Sequence, residues 1–112
     1  MNLRMLRRIS KRSTHQRFNH VAIITAGKRV LATGYNRGEL HAEEVAIRRL
    51  AHITRNSGGS PNPSSLTLTS LMFKRKNGNI GESFPCNDCL QLINKAKIRW
   101  VTYVENGVVK TV

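Results

Sequence analysis

At 112 residues the chain is one small domain, too short for a catalytic domain and a separate binding domain. Nineteen Lys+Arg against six Asp+Glu leave a net charge of +13, which points to an anionic partner such as nucleic acid or a nucleotide and carries no information on fold. Aromatics are only 5% of the chain, so its core is aliphatic, and the longest apolar run, Val21 to Ile24, is far too short to cross a membrane.

Residues 1–17 carry six basic side chains (Arg4, Arg7, Arg8, Lys11, Arg12, Arg17) and no acid. Leu3, Leu6 and Ile9 recur at helical spacing, which predicts a first helix with a basic outer face. An acid-free, Arg-rich amphipathic start also has the composition of a mitochondrial transit peptide; the helix is the plainer reading. Val21–Thr25 and Val30–Tyr35 are β-rich and flank a short turn containing Gly27, the pattern of a hairpin. Ala42, Val45, Ala46, Leu50 and Ile53 then sit at helical spacing over Glu39 to Ile53.

Residues 54–65 have loop composition. Leu66–Phe73 predicts a strand, and Lys74 to Ser83 a second loop that is basic at its start. Cys86 to Ala96 predicts a helix with Leu90, Ile93 and Ala96 on one face. Trp100–Val104 and Val108–Val112 flank Glu105-Asn106-Gly107, and Asn-Gly between β-rich runs is a strong hairpin signal. The alternation predicts a single-domain α/β fold: a mixed five-stranded sheet, helices on its faces in three α/β/α layers, and an antiparallel hairpin as its last two strands.

Two motifs carry chemistry, His41-Ala42-Glu43 and Pro85-Cys86-Asn87-Asp88-Cys89. Each opens a helix after a strand, where ligands gather in α/β sheets. One imidazole and two thiolates form a soft N/S set suited to Zn²⁺, and three protein ligands leave a fourth position for water. Helix N-termini are expected to favour the thiolates of Cys86 and Cys89. Glu43 lies close enough to take a proton from an acidified water and pass it on. Each motif alone has a plainer explanation, a capping pair or a redox pair. The spacing Cys86-x-x-Cys89 with no other cysteine suits a reducing compartment such as the cytoplasm.

The two motifs in this order match the signature of zinc nucleobase deaminases. From about Phe18 to Val112 the chain resembles the cytidine deaminase superfamily. His41-Ala42-Glu43 and Phe84-Pro85-Cys86-Asn87-Asp88-Cys89 resemble deoxycytidylate deaminases. The final hairpin resembles the small cytidine deaminases; in deoxycytidylate, tRNA-adenosine and polynucleotide-editing deaminases a helix separates those strands. The resemblance implies zinc on His41, Cys86 and Cys89, with Glu43 as proton shuttle. It implies that Asn36 meets the sugar, that the Ala42 amide meets the base carbonyl, and that the carbonyl near Pro85 receives the amino group. It also implies a homo-oligomer, expected to be a tetramer. Two departures matter. Only Arg37-Gly38-Glu39-Leu40 separates Asn36 from the metal helix, where small cytidine deaminases have a longer segment. Those enzymes also usually carry Cys in place of His41.

The expected activity is hydrolytic deamination of cytosine in a nucleoside or nucleotide. The alternatives are a polynucleotide editor using the basic surface and a zinc-stabilised nucleic-acid-binding module without catalysis; the presence of Glu43 argues against the last. Arg37 is a candidate for a nucleotide phosphate, with a solvated loop arginine as its plain alternative. His20, near the pocket, is a candidate to pack on a base. Phe73 and Trp100 read as core residues.

Overall fold

The structure, a computed structural model, describes residues 3–11, 18–37, 40–57 and 66–112. Glu39, His15, Arg12, Arg17 and most of the 54–65 loop lie outside them.

The chain runs α1 (Leu3–Ser10), β1 (Phe18–Ala26), β2 (Arg29–Tyr35), α2 (Ala42–Ser57), β3 (Leu66–Lys74), β4 (Ile80–Gly81), α3 (Asn87–Lys95), β5 (Trp100–Glu105) and β6 (Val108–Thr111). The sheet has the order β2-β1-β3-β5-β6, with β4 added beside β3. β1 pairs antiparallel with both β2 and β3, β3 pairs parallel with β5, and β5 pairs antiparallel with β6. The mixed α/β architecture and the terminal hairpin are as expected. The hairpin turns on Asn106 and Gly107, both at positive φ (53° and 77°), the backbone that Asn-Gly adopts most readily.

The expected count of five strands falls one short. The parallel ladder between β3 and β5 covers Thr67 to Thr69, which leaves that edge of Met72 and Phe73 open. Asn77 and Gly78 fold the chain back so that β4 pairs there, Met72 with Gly81 and Phe73 with Ile80. Three hydrogen bonds close the turn: Lys74 N to Asn79 O (2.8 Å), Gly78 N to Lys74 O (2.7 Å) and Asn79 N to Asn77 Oδ1 (2.9 Å).

β1 and β3 are covered on both faces, which is why their burial is nearly continuous. On one face α1 packs Leu6, Met5 and Ile9 against Val21, Ile23, Leu71, Phe73 and Val104. Leu3, expected in that stripe, is exposed at the helix start, and Met5 replaces it. Arg7 lies over the Phe73 ring (4.6 Å) and donates to Gly78 O (2.8 Å), tying α1 to the β3–β4 turn. On the other face Ala42, Ala46 and Leu50 of α2 and Ile93 of α3 bury Ala22, Ile24, Leu66, Leu68, Val101 and Tyr103. Trp100 is not core: it opens β5 at 41% exposure with the Arg99 guanidinium over its ring. Among the described residues no helix is long and apolar enough to cross a membrane.

The seat of α2 is set by Gly34. A Cβ there would collide with the Ala42 carbonyl and the Ala46 amide, backbone atoms that cannot swing aside. Gly34→Ala is therefore expected to destabilise the fold by about 1–3 kcal/mol through overpacking, read as a lower urea midpoint; wild-type stability in that variant would refute the close approach of α2 to β2.

Candidate active site

His41 and Cys86 hold equivalent places, each one residue before a helix. The His41 carbonyl accepts from Val45 N (3.1 Å), and the Cys86 carbonyl accepts from Leu90 N (2.9 Å). Cys86 is extended and makes no side-chain cap, so its thiol is not spent on the helix. Pro85, directly before it, is buried, and so is Cys89 in the first turn of α3. The loop leading to Cys86 is stitched to β5: Ser83 N donates to Val104 O (3.0 Å), and Val104 N donates to Ser83 Oγ (2.8 Å). Phe84 stacks edge-on to Tyr103, with centroids 4.7 Å apart.

These elements bring the side chains of His41, Cys86 and Cys89 together, with all ligand atoms within 4.8 Å of one another. His41 Nδ1 lies 3.8 Å from Cys86 Sγ, near the ~3.6 Å that two tetrahedral ligands at ordinary Zn–N and Zn–S lengths would span. A cleft of about 420 Å³ opens beside the three residues, lined also by Glu44, Asp88 and Lys95.

Glu43, in the first turn of α2, is 1% exposed. Its Oε1 lies 2.8 Å from Ser70 Oγ and 3.0 Å from His20 Nε2. Its Oε2 lies 3.5 Å from Cys89 Sγ, beside the ligand set. Burial pushes this carboxyl up, but the hydrogen bond and charge of His20, helped by the backbone and Ser70, outweigh it and hold the carboxyl at about 2. Glu43 is therefore an anion at neutral pH, able to receive a proton.

The thiol of Cys89 departs from the expectation of a helix-lowered pKa. Burial pushes it well above the usual thiol range, followed by the negative charge of Glu43 and contact with Cys86. The helix dipole is the weaker effect in so enclosed a place. Two sulfurs, an imidazole nitrogen and a carboxylate crowded together call for a cation, and a bound divalent ion deprotonates a coordinating thiol outright. The donor set thus fits zinc in type, number and spacing.

The other expected contacts are placed as follows. The Ala42 backbone stands between the ligand His41 and Glu43. Asn36 follows β2 and extends its ladder: Oδ1 accepts from His20 N (3.0 Å), Nδ2 donates to Phe18 O (3.3 Å), and Asn36 N donates to His20 O (3.2 Å). Arg37 lines a second hollow along α2 with Leu40, Arg48 and His52, not the cleft of the metal ligands. Three residues that spacing did not single out as a unit complete the site: His20, Ser70 and Ser83. The visible signal was Ser70, which puts a hydroxyl in β3 on the face that Leu66 and Leu68 fill with aliphatic side chains.

The family model of the cytidine and deoxycytidylate deaminase zinc-binding region matches residues 2–105. The chain belongs to this family. Its general chemistry is thereby zinc-dependent hydrolytic deamination of cytosine, and its cofactor is zinc. Among solved structures, a point mutant of cytidine deaminase from Mycobacterium tuberculosis is similar at a TM-score of 0.51 and 20% identity, covering 90% of this chain and 82% of that one; this likeness shows a shared fold. No curated protein matches significantly by sequence.

Metal analysis is expected to return about one zinc per chain. Cys86→Ala should abolish it, and full zinc retention in that variant would reassign the ligands.

Proposed function

We propose that this member of the family deaminates cytosine in a free nucleoside or in dCMP, giving uracil and ammonia. The observation that carries the reading is the Glu43 carboxylate, ionised, buried and 3.5 Å from a ligand sulfur. Zinc on His41, Cys86 and Cys89 supplies the acidity that makes a water reactive towards C4. Glu43 would take a proton from the attacking water on Oε2, deliver it to N3 of the base, and then carry the remaining proton of the new C4 hydroxyl to the departing amine. Water and cytosine thus become uracil and ammonia with no proton left over. The Ala42 amide would hold the base carbonyl, and the carbonyl near Pro85 the amino group. Asn36 keeps one amide hydrogen and one lone pair beyond its bonds to β1, enough for one sugar hydroxyl. Arg37, next to Asn36 in sequence, would face a 5′-phosphate from the second hollow.

A specific observation favours a second reading, a polynucleotide substrate. Arg4, Arg7, Arg8 and Lys11 are exposed on or just after α1, and Lys74, Arg75 and Lys76 on the β3–β4 turn. Arg7 joins the two groups through Gly78. Phe18 pairs with Lys74, and His20 with Met72, so these basic side chains lie towards the end of the sheet that carries His20. The compact β5–β6 hairpin, which resembles the nucleoside enzymes, supports the small-substrate reading instead.

Glu43→Gln should retain zinc and fold yet lose on the order of 10²- to 10⁴-fold in rate; near-normal turnover would move the proton shuttle elsewhere. Substrate size is decided by turnover of cytidine, deoxycytidine, dCMP and a single-stranded oligonucleotide at low and moderate salt. Turnover of a small substrate with little salt dependence is expected. Efficient oligonucleotide editing that falls steeply with salt, with negligible turnover of the small substrates, would install the second reading.

A further inference from the structure

We infer that His20 is a positioning residue for Glu43, whose Nε2–H fixes Oε1 and so assigns Oε2 as the working oxygen. The inference rests on Glu43 being the proton shuttle. A glutamate has three rotatable bonds, and a shuttle must present one oxygen in one place through two successive transfers. In this chain the oxygens of Glu43 are not equivalent. Oε1 faces His20 Nε2 at 3.0 Å and Ser70 Oγ at 2.8 Å, whereas Oε2 faces Cys89 Sγ at 3.5 Å.

Proton counting ties the protonation of His20 Nε2 to Glu43. Ser70 has one hydroxyl hydrogen and two acceptors within reach, Glu43 Oε1 at 2.8 Å and the Ser83 carbonyl at 3.0 Å. It also lies 2.7 Å from His20 Nε2. The one hydrogen on Nε2 is likewise shared between Ser70 Oγ at 2.7 Å and Glu43 Oε1 at 3.0 Å: it reaches Oε1 directly, or it goes to Ser70, whose hydroxyl then donates to Oε1 at 2.8 Å. In both arrangements Nε2 must carry a hydrogen, because a bare Nε2 would set two acceptors face to face at 3.0 Å. Ser70 is thus a partner shared with the loop before Cys86, and His20 is the specific anchor.

The anchor is itself fixed. His20 N and His20 O are both bonded to Asn36, at 3.0 and 3.2 Å, and His20 sits in the β1–β3 ladder opposite Met72. Its imidazole is 19% exposed while Glu43 is 1% exposed. The ring thus reaches the carboxylate from β1, at the oxygen that does not face Cys89.

Two measurements test this, one of them independent of turnover. In long-range nitrogen–proton NMR spectra of the zinc-loaded chain, His20 Nε2 should carry a hydrogen, and Glu43→Ala should lower the occupancy of that site. A bare Nε2 in the wild type, or a ring unchanged by Glu43→Ala, overturns the proposal. In kinetics, His20→Phe keeps a ring but no donor; kcat should fall roughly 10- to 100-fold, the scale of a misplaced catalytic group, with zinc content and KM unchanged. His20→Gln restores a side-chain N–H and should recover part of the loss. Wild-type kcat in His20→Phe, or equal losses in both variants with zinc retained, overturns it. If the wild type acts on no cytosine substrate, the deamination reading falls, and the NMR spectra still decide whether His20 holds Glu43.

Discussion

A carboxylate withdrawn from water must be compensated by charge and hydrogen bonds or it takes up a proton. Glu43 is such a group, and its compensation comes mainly from side chains on the strands, with its own backbone helping. His20 on β1 and Ser70 on β3 reach it because the strands pair in one register, with Ala22 opposite Ser70 and His20 opposite Met72. His20 and Ser70 are thereby diagonal neighbours on the sheet face that α2 covers. A slip of one residue would turn His20 to the α1 face. The alternation that buries Ala22 and Ile24 under α2 is thus the same constraint that keeps the carboxylate ionised.

The helices contribute what the strands cannot. His41 and Cys86 each stand at the last non-helical position before a helix, where the backbone has turned but the side chain is not yet committed to a helical face. Gly34 lets α2 rest directly on β2, and the pairing of Ser83 with Val104 holds the approach to α3. The ligands meet because both helices start from the same end of the sheet. Among the described residues no buried side-chain nitrogen or oxygen lacks a partner, so this polar centre is satisfied within an otherwise aliphatic core.

The grouping of His41, Cys86 and Cys89 was legible because the motifs are local: His-x-Glu and Cys-x-x-Cys are short, and helix starts are marked by composition. The terminal hairpin was legible for the same reason, since Asn106 and Gly107 tolerate positive φ. What stayed hidden depends on pairing between distant segments. β4 exists because the ladder between β3 and β5 ends at Thr69 and leaves Met72 and Phe73 open, a fact about neither segment alone. The contacts of His20 and Ser70 with Glu43 follow from strand register and from the seat of α2. The upward push on the Cys89 thiol follows from burial, which local spacing does not report. Trp100 looked like core by residue type, but its place at the opening of β5 leaves its ring to Arg99.

His41 precedes Cys86 by 45 residues, and the chain between them contains α2 and the central strand β3. An ion gripping both ends of that stretch closes it into a ring, much as a covalent bridge would, and removes conformations from the unfolded chain. Its binding free energy is then partly folding free energy. For a domain of this size, metal supply would bear on how much of the chain is folded as well as on how much is active, and a chelator would act as a denaturant as well as an inhibitor.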